Sequence, residues 1–377
     1  MCRPPSMAFF AYNDPAPLDA GHPLWSAALP MGPNPFPSPG PHLTYGDYFT
    51  AVGRYLSSNT FFSVRSALSA GYDRIRSVDV RLEKHGAFYH PAHVTVETDA
   101  GPVHRVLNVA ASVVGLCRMD IEVAALMRLA RHPAAESLPR VFHAGSADTP
   151  SGRTVRMFLA EWFDGYSEFH LTIDPRNGRQ KWVLWDTEAG NRILTPRQAA
   201  AVYQGASRIL TELYDIDSAE QVRFWNHAAG DFVVRIDGNA VSVKLVTVRD
   251  YAASGAMPFD ETDPDSTRLM NLLLFLTELS LRSRIDRFDG TGEWGWAGRA
   301  ALKGTVRGFF DGLVGRSQRF RSWAAGFTSQ ALYAILSALL EGYHPESPER
   351  RTALRRLKPH ARDLAALLAS ERALGET

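Results

Sequence analysis

The sequence predicts a mixed α+β fold, with a β-rich N-terminal half followed by a mostly helical C-terminal half. Apolar and polar residues alternate in several short segments between positions 75 and 162, a period typical of strands with one buried face. Beyond position 266, apolar residues instead recur at helical spacing. The length of 377 residues exceeds one ordinary domain, so we expect two lobes.

The N-terminal half contains three predicted strands, then a helix and further strands. The three alternating segments cover residues 75–83, 93–98 and 104–109. Residues 120–130 carry apolar side chains at helical spacing, with Asp120 and Glu122 in the first turn. Another strand is predicted over 155–162. This order indicates an antiparallel sheet with one helix packed against it.

The most informative segment is a polar loop that leads into a predicted β-hairpin. Asn226 and Asp231 lie five residues apart and precede the apolar run 232–234. Asp237 and Gly238 supply a turn signal, and a second alternating strand follows them. The alternating run that forms this second strand covers residues 241–250 and includes Thr247.

This layout resembles that of protein kinases and of aminoglycoside and choline phosphotransferases. In that superfamily a catalytic Asp, an Asn five residues later and a metal-binding Asp after a hairpin serve phosphoryl transfer. The resemblance covers roughly residues 70–250. It implies a two-lobe fold, with a small lobe over 44–163 and a large lobe over 164–377 that contains the catalytic-type segment 224–250. It also implies ATP or another nucleotide, Mg²⁺, and a site in the cleft between the lobes.

Several positions depart from the pattern of this superfamily. Asn226 lies where the superfamily has its Asp, and Asp231 where it has its Asn. Thr247 falls at the position of the second metal-binding Asp, and Asn108 near that of the Lys that grips the phosphates. Because an amide cannot accept a proton at neutral pH, Asn226 can orient a hydroxyl but cannot act as a base.

Neighbouring residues are candidates for the missing roles around this loop. Asp231 is the candidate metal ligand, and its alternative role is to accept hydrogen bonds from loop amides. His227 follows Asn226 directly and is the candidate general base. Lys84 or Arg249 could steady phosphates as positive charges. For Lys84 the alternative is an ion pair with a surface acid.

Three acids complete the implied nucleotide site. Glu122 is the acid on the predicted helix of the small lobe. Glu168 or Asp164, in the segment after the last strand of that lobe, could contact a ribose. The aromatic residues around these two acids are expected to pack in the protein interior.

A cluster of histidines supports a different hypothesis. His85, His90 and His93 fall within nine residues on a predicted strand–turn–strand, where they could bind a metal ion if the strand register brings them together. Hydrogen-bonded packing or substrate contact is the alternative for all three. A cysteine metal site is not expected, because Cys2 and Cys117 are the only cysteines.

A run of alternating charges follows the first helix of the C-terminal half. Arg284, Arg287 and Gly290 suit the last turn and cap of a helix. The functional alternative is that Asp286 or Asp289 contacts a cation or a substrate amine. The helix before this run is predicted to begin at Ser266 as its N-cap and to run through Leu281. A last helix is predicted over 350–372, broken or bent near Pro359.

Composition limits the classes of partner. A net charge of +1 argues against bulk attraction to nucleic acid or to an anionic membrane. The resemblance to phosphotransferases implies a small-molecule or peptide substrate. The charged fraction of 21% and the hydrophobic fraction of 45% are typical of folded proteins. Residues 1–43 hold eleven of the 23 prolines and predict an extended arm. Without a recognisable signal sequence or membrane span, a cytoplasmic location is expected. The oligomeric state stays open.

Three functions remain in view. The first is a divergent nucleotide-dependent transferase of kinase-like fold, using Asp231 for the metal and His227 or Asp231 in place of the missing base. The second is a pseudokinase, which binds a ligand or protein without turnover, as Asn108, Asn226 and Thr247 together suggest. The third is a metal-dependent enzyme based on the histidines. The first is preferred narrowly, because the loop keeps polar residues at each position.

Overall fold

The computed structural model confirms the mixed α+β class. It describes residues 5–30, 42–57, 66–68, 74–86, 88–186, 190–226, 230–253, 262–290, 292–313, 315 and 317–375. The chain divides into two compact units. The N-terminal unit comprises Met1–Arg131 and Pro139–Asp164, and the C-terminal unit comprises His132–Leu138 and Gly165–Thr377.

The N-terminal unit is built on a six-stranded sheet. Its strands are β1 (Ser6–Phe10), β2 (Ile75–Leu82), β3 (Ala92–Thr98), β4 (Gly101–Ala110), β5 (Val141–Asp148) and β6 (Thr154–Glu161), in the order β1-β2-β3-β4-β6-β5. All neighbours are antiparallel except β1 and β2. Alternate residues such as Val80, Val94 and Leu107 are fully buried, because successive side chains of a strand point to opposite faces.

Two helices accompany this sheet. Helix α1 (Tyr45–Ser57) contributes Tyr48, Phe49 and Val52 to one hydrophobic core with the buried face of the strands. Helix α2 (Val113–Leu129) follows β4 and is capped by Ser112. The Ser112 hydroxyl accepts a hydrogen bond from the backbone N–H of Gly115 at 3.0 Å. The predicted order of three strands, a helix and the strand near 155–162 is present, and β5 is an additional strand that was not predicted. Strand β1 falls inside the stretch predicted to be an extended Pro-rich arm.

The C-terminal unit contains a five-stranded sheet and two small strand pairs. The sheet comprises β7 (Ser167–Ile173), β8 (Gln180–Leu184), β9 (Arg192–Leu194), β11 (Phe232–Asp237) and β12 (Ala240–Leu245), in the order β12-β11-β7-β8-β9. The predicted hairpin is confirmed, since Phe232 pairs with Leu245 and Asp237 with Ala240. The small pairs are β10 (Glu220–Val222) with β13 (Tyr251–Ala253), and β14 (Ile285–Arg287) with β15 (Trp294–Trp296).

The C-terminal unit also contains several α-helices. They are α3 (Pro196–Glu212), α4 (Pro264–Arg282), α5 (Arg299–Gly312), α6 (Ser317–Ala324), α7 (Ser329–Glu341) and α8 (Pro348–Gly375). Asp263 caps α4 through the Ser266 amide, so the predicted Ser266 cap is wrong by one turn. Helix α4 ends at Arg282, so the prediction that Arg284 and Arg287 form its last turn is wrong; Arg287 instead ends β14. Helix α8 runs on through Pro359.

Within the described ranges, no single helix is both long enough and apolar enough to cross a membrane. The segments Gln318–Ala324 and Ser329–Glu341 reach that length and apolarity only together, and they are bent by 101° at the break between them.

Candidate functional site

The polar loop between β10 and β11 is closed by a buried ion pair. Asp231 is 1% exposed, and both of its carboxylate oxygens accept hydrogen bonds from the Arg249 guanidinium. The backbone N–H of Asn226 donates a hydrogen bond to Asp231 Oδ2 at 2.6 Å. Arg249 also donates to the Phe224 carbonyl at 2.9 Å. Two-point pairing of Arg with a carboxylate fixes geometry as well as charge, so Asp231 and Arg249 hold this loop together.

The geometry changes the interpretation of Asp231. As the candidate metal ligand, this side chain would have to be open to a cation, but it is buried. Its alternative role, accepting a loop amide, is the one observed at Asn226. A divalent cation requires oxygen ligands that are open to it, whereas the oxygens of Asp231 already face a guanidinium that stays protonated at any accessible pH.

Backbone strain marks the same loop. Phe224 adopts a φ of 58°, a left-handed conformation that is unusual for a bulky side chain and costs about 1–2 kcal/mol. Its carbonyl is held by Arg249, and the Arg223 guanidinium lies 4.7 Å from the centre of its ring. The Arg249–Asp231 pair therefore also stabilises a strained turn.

The other predicted loop residues have less defined roles. Asn226 is half-buried and contributes its backbone amide to the loop. Thr247 is half-buried between β12 and β13. His227 lies outside the described residues, so its role as a general base stays a prediction.

Three predicted nucleotide-site residues belong to the N-terminal unit. Lys84 is exposed just after β2, Asn108 is half-buried in β4 opposite Phe158, and Glu122 is buried in α2. The structure groups Asn226, Asp231 and Arg249 in the C-terminal unit instead. The nucleotide roles of the first three stay predictions.

The predicted histidine cluster consists of two separate pairs. His85 Nδ1 lies 3.3 Å from His90 Nδ1, whereas His93 Nε2 lies 3.0 Å from His104 Nδ1. His93 pairs across the sheet with Arg81, so the register does not set it opposite His85. Burial lowers the pKa of both His90 and His93 to about 4. No group of three His, Cys, Asp or Glu side chains arranged to hold a metal occurs among the residues that the structure describes.

A second charged cluster lies beside the loop, on β7. His170 is 1% exposed, and its two ring nitrogens face two carboxylates: Nε2 lies 3.4 Å from Glu168 Oε2, and Nδ1 lies 3.5 Å from Asp286 Oδ1. Burial alone would lower the pKa of His170, but the hydrogen bonds and charges of Asp286 and Glu168 outweigh it and raise the pKa to about 9. His170 is therefore an imidazolium at neutral pH.

Gly230 joins this cluster to the loop. Its φ is 73°, and a Cβ at this position would lie 2.4 Å from the carboxyl carbon of Glu168. Only a glycine allows both this backbone conformation and this close approach. Glu168 was one of two candidates to contact a ribose, and that role stays a prediction; its carboxylate lies directly against the loop at Gly230.

His170 was not predicted as a site residue. The signal available was its position two residues after Glu168 on a strand, which puts both side chains on one face of the sheet. For Asp286 or Asp289, contact with a cation or a substrate amine was the functional alternative; in the structure the Asp286 carboxylate faces the His170 ring.

Comparison with known proteins assigns no family. No family model matches the chain, and no curated protein matches it. Among solved structures it is similar to WaaP in complex with acyl carrier protein, at 12% identity and a TM-score of 0.34. That similarity covers 67% of this chain and 86% of the other. It is too slight to bear on function.

Proposed function

We propose that this protein is a divergent kinase-like binding module whose catalytic-type loop does not support metal-assisted phosphoryl transfer. The observation that carries the proposal is that the Arg249 guanidinium donates hydrogen bonds to both carboxylate oxygens of Asp231. Supporting it, the elements follow the order that the kinase resemblance implies. Three strands, a helix and two strands come first, and the loop later leads into the hairpin of β11 and β12.

Charge explains why transfer is disfavoured at this loop. Phosphoryl transfer relies on metal ions, held by carboxylates, to neutralise the phosphates. Asp231 is neutralised by Arg249, while Asn226 and Thr247 carry no charge. The polar residues retained in the loop therefore keep its shape, and any ligand is bound without turnover.

The second candidate is the altered nucleotide-dependent transferase, and one observation favours it. Glu168 abuts the loop at Gly230 and is backed by a protonated histidine. A carboxylate in that position could replace the base that Asn226 cannot provide. ATP or another nucleotide and Mg²⁺ remain the proposed ligands of this alternative.

Thermal-shift measurements separate the two candidates. The wild-type protein and Asp231→Asn are each heated with ATP, ADP or GTP, with and without Mg²⁺ or Mn²⁺. A ligand at a hundred times its Kd stabilises by about 2.7 kcal/mol, so binding at such concentrations is visible. For the binding module we expect no stabilisation that depends on the metal.

The opposite outcome is equally definite. Metal-dependent stabilisation by a nucleotide in the wild type that disappears in Asp231→Asn, with circular dichroism unchanged, supports the transferase and contradicts the binding module. Circular dichroism is required because Asp231→Asn leaves Arg249 partly buried opposite an amide.

A further inference from the structure

Helix α8 carries a line of cations along its exposed face. Arg351, Arg355, Lys358 and Arg362 are all exposed, and they follow one another at spacings of four, three and four residues. At about 100° and about 1.5 Å per residue, these positions lie within an arc of about 60° and extend over about 17 Å. We call these four residues the basic stripe.

The opposite face of α8 fixes the position of the stripe. Ala353, Leu357, Leu364 and Leu368 lie on that face, and each is 1% exposed or less. Residues three and four apart share one face of a helix. A helix held by these buried side chains therefore keeps its four cations in solvent.

The stripe is not neutralised by nearby acids. No Asp or Glu lies between residues 350 and 362 of the sequence. Asp363 follows the stripe directly, but its carboxylate lies 4.0 Å from the buried Arg284. Arg351 donates to the backbone carbonyl of Glu346 at 2.8 Å. Within the described part of the chain, no carboxylate forms an ion pair with any of the four cations.

The stability of the free helix does not account for this arrangement. Other helices of the same unit match arginines with acids, as Arg282 does with Glu278 and Arg319 with Asp265. Like charges four residues apart destabilise a helix. Arg351 also lies near the N-terminal end of α8, where the helix dipole disfavours a cation. An anionic partner that binds the stripe relieves this repulsion.

The rest of the chain limits the kind of anionic partner. With the stripe set aside, acids outnumber basic residues, because the whole chain has a net charge of only +1. A nucleic acid or an anionic membrane extends beyond the stripe and also meets these acids. The stripe has no aromatic side chain on which a base could stack. Leu354 is exposed beside it, but a helix that lies in a membrane needs a whole apolar face.

We propose that the basic stripe binds an acidic helix of a partner protein. Carboxylates at positions i, i+4, i+7 and i+11 of such a helix repeat the spacing of the four cations, and this spacing is the same in both chain directions. The three arginines can each pair with a carboxylate through two parallel N–H groups. None of the residues of the polar loop takes part, so this interaction is independent of the proposed function.

The probe is a fluorescent, alanine-based helical peptide of 18 residues with Glu at positions 4, 8, 11 and 15. Its counterpart has the same composition, with the four Glu residues distributed around the helix. Circular dichroism checks that both peptides are equally helical. Fluorescence anisotropy at 50 mM NaCl follows their binding to the full-length protein. We expect the first peptide to bind saturably and at least tenfold more tightly than its counterpart.

Two double variants locate the binding surface. Arg355→Gln combined with Lys358→Gln should weaken binding of the first peptide at least tenfold. Lys303→Gln combined with Arg307→Gln is the matched control, because both residues are exposed on α5 and the same charge is removed. Its affinity should equal that of the wild type. Thermal melts show whether each variant is folded, and the stripe variant should melt no lower than the wild type.

Several results would overturn the assignment of an acidic helix. Equal affinity for the two peptides, or equal losses in the two double variants, would show that the stripe provides no specific surface. Tighter binding to a 20-base-pair DNA duplex, or to phosphatidylcholine vesicles with 30% phosphatidylserine, would assign the stripe to that partner instead. Metal-dependent nucleotide binding through Asp231 would contradict the proposed function alone, since it does not involve α8.

Discussion

Two carboxylate–cation pairs flank the same loop, and they differ in the cation. Asp231 is paired with Arg249, which keeps its charge at every accessible pH. Glu168 is paired with His170, whose charge depends on pH. The first pair is a permanent clamp with no exposed acid. In the second pair the acid is partly exposed, and the cation loses its charge in alkali.

The histidines of the N-terminal unit show what makes His170 different. His90 and His170 are both 1% exposed. Burial lowers the pKa of His90 to about 4, with a further contribution from His85, whereas that of His170 is raised to about 9. Burial acts in the same direction on both. The carboxylates of Asp286 and Glu168 reverse its effect, so they are the cause of the charge on His170.

Removing the permanent cation should have the largest effect on stability. Arg249→Met leaves Asp231 buried without its counter-ion, and breaking a buried pair from one side costs about 3–5 kcal/mol. Urea unfolding should show this loss. Arg268→Met is the control, since Arg268 forms more exposed pairs with Asp217 and Asp265 and should lose less than about 1 kcal/mol. Similar losses in the two variants would show that Asp231 is not clamped.

The switchable pair should respond to alkali. The pKa of His170 is higher in the folded chain than its ordinary value of 6.5, so its contribution is fully present below about pH 6.5 and is lost as pH rises through about 9. The shift corresponds to roughly 3 kcal/mol. The difference in unfolding free energy between wild type and His170→Gln should therefore shrink between pH 7 and pH 10. A constant difference would mean that His170 is not held as an imidazolium.

The contact between the two regions can be tested at glycine. Gly230→Ala forces a Cβ into Glu168 at a φ of 73°, whereas Gly238→Ala meets open space at a φ of 56°. The backbone cost should be about 1 kcal/mol in both. The additional clash should make Gly230→Ala the more destabilising by about 1–2 kcal/mol. Equal destabilisation of the two variants in thermal melts would show that Glu168 does not lie against the loop at Gly230.

Local patterns predicted the elements that depend on local signals. The hairpin of β11 and β12 followed from alternation and from the turn signal at Asp237 and Gly238. The strands β2, β3 and β4 followed from alternation as well. Helix α2 was predicted over 120–130, yet it begins at Val113, because the Ser112 cap precedes a stretch without clear amphipathic spacing. Strand β1 was missed because prolines dominate the surrounding composition.

The candidate site depends on contacts that no local pattern contains. Asn226 and Asp231 were located correctly in one loop, but the partner that buries Asp231 lies 18 residues away, beyond a complete hairpin. His170 and Asp286 are 116 residues apart. Spacing can place a carboxylate in a loop, whereas its exposure and its counter-ion are set by tertiary structure, and these decide whether it can bind a metal.

Electron paramagnetic resonance of Mn²⁺ tests the central claim most directly, because it detects the metal itself. The spectrum of Mn²⁺ with ATP is recorded with and without the wild-type protein, and then with Asp231→Asn. The clamp of Arg249 on Asp231 predicts that the wild-type protein leaves the spectrum unchanged. A protein-bound Mn²⁺ signal that is lost in Asp231→Asn would contradict it.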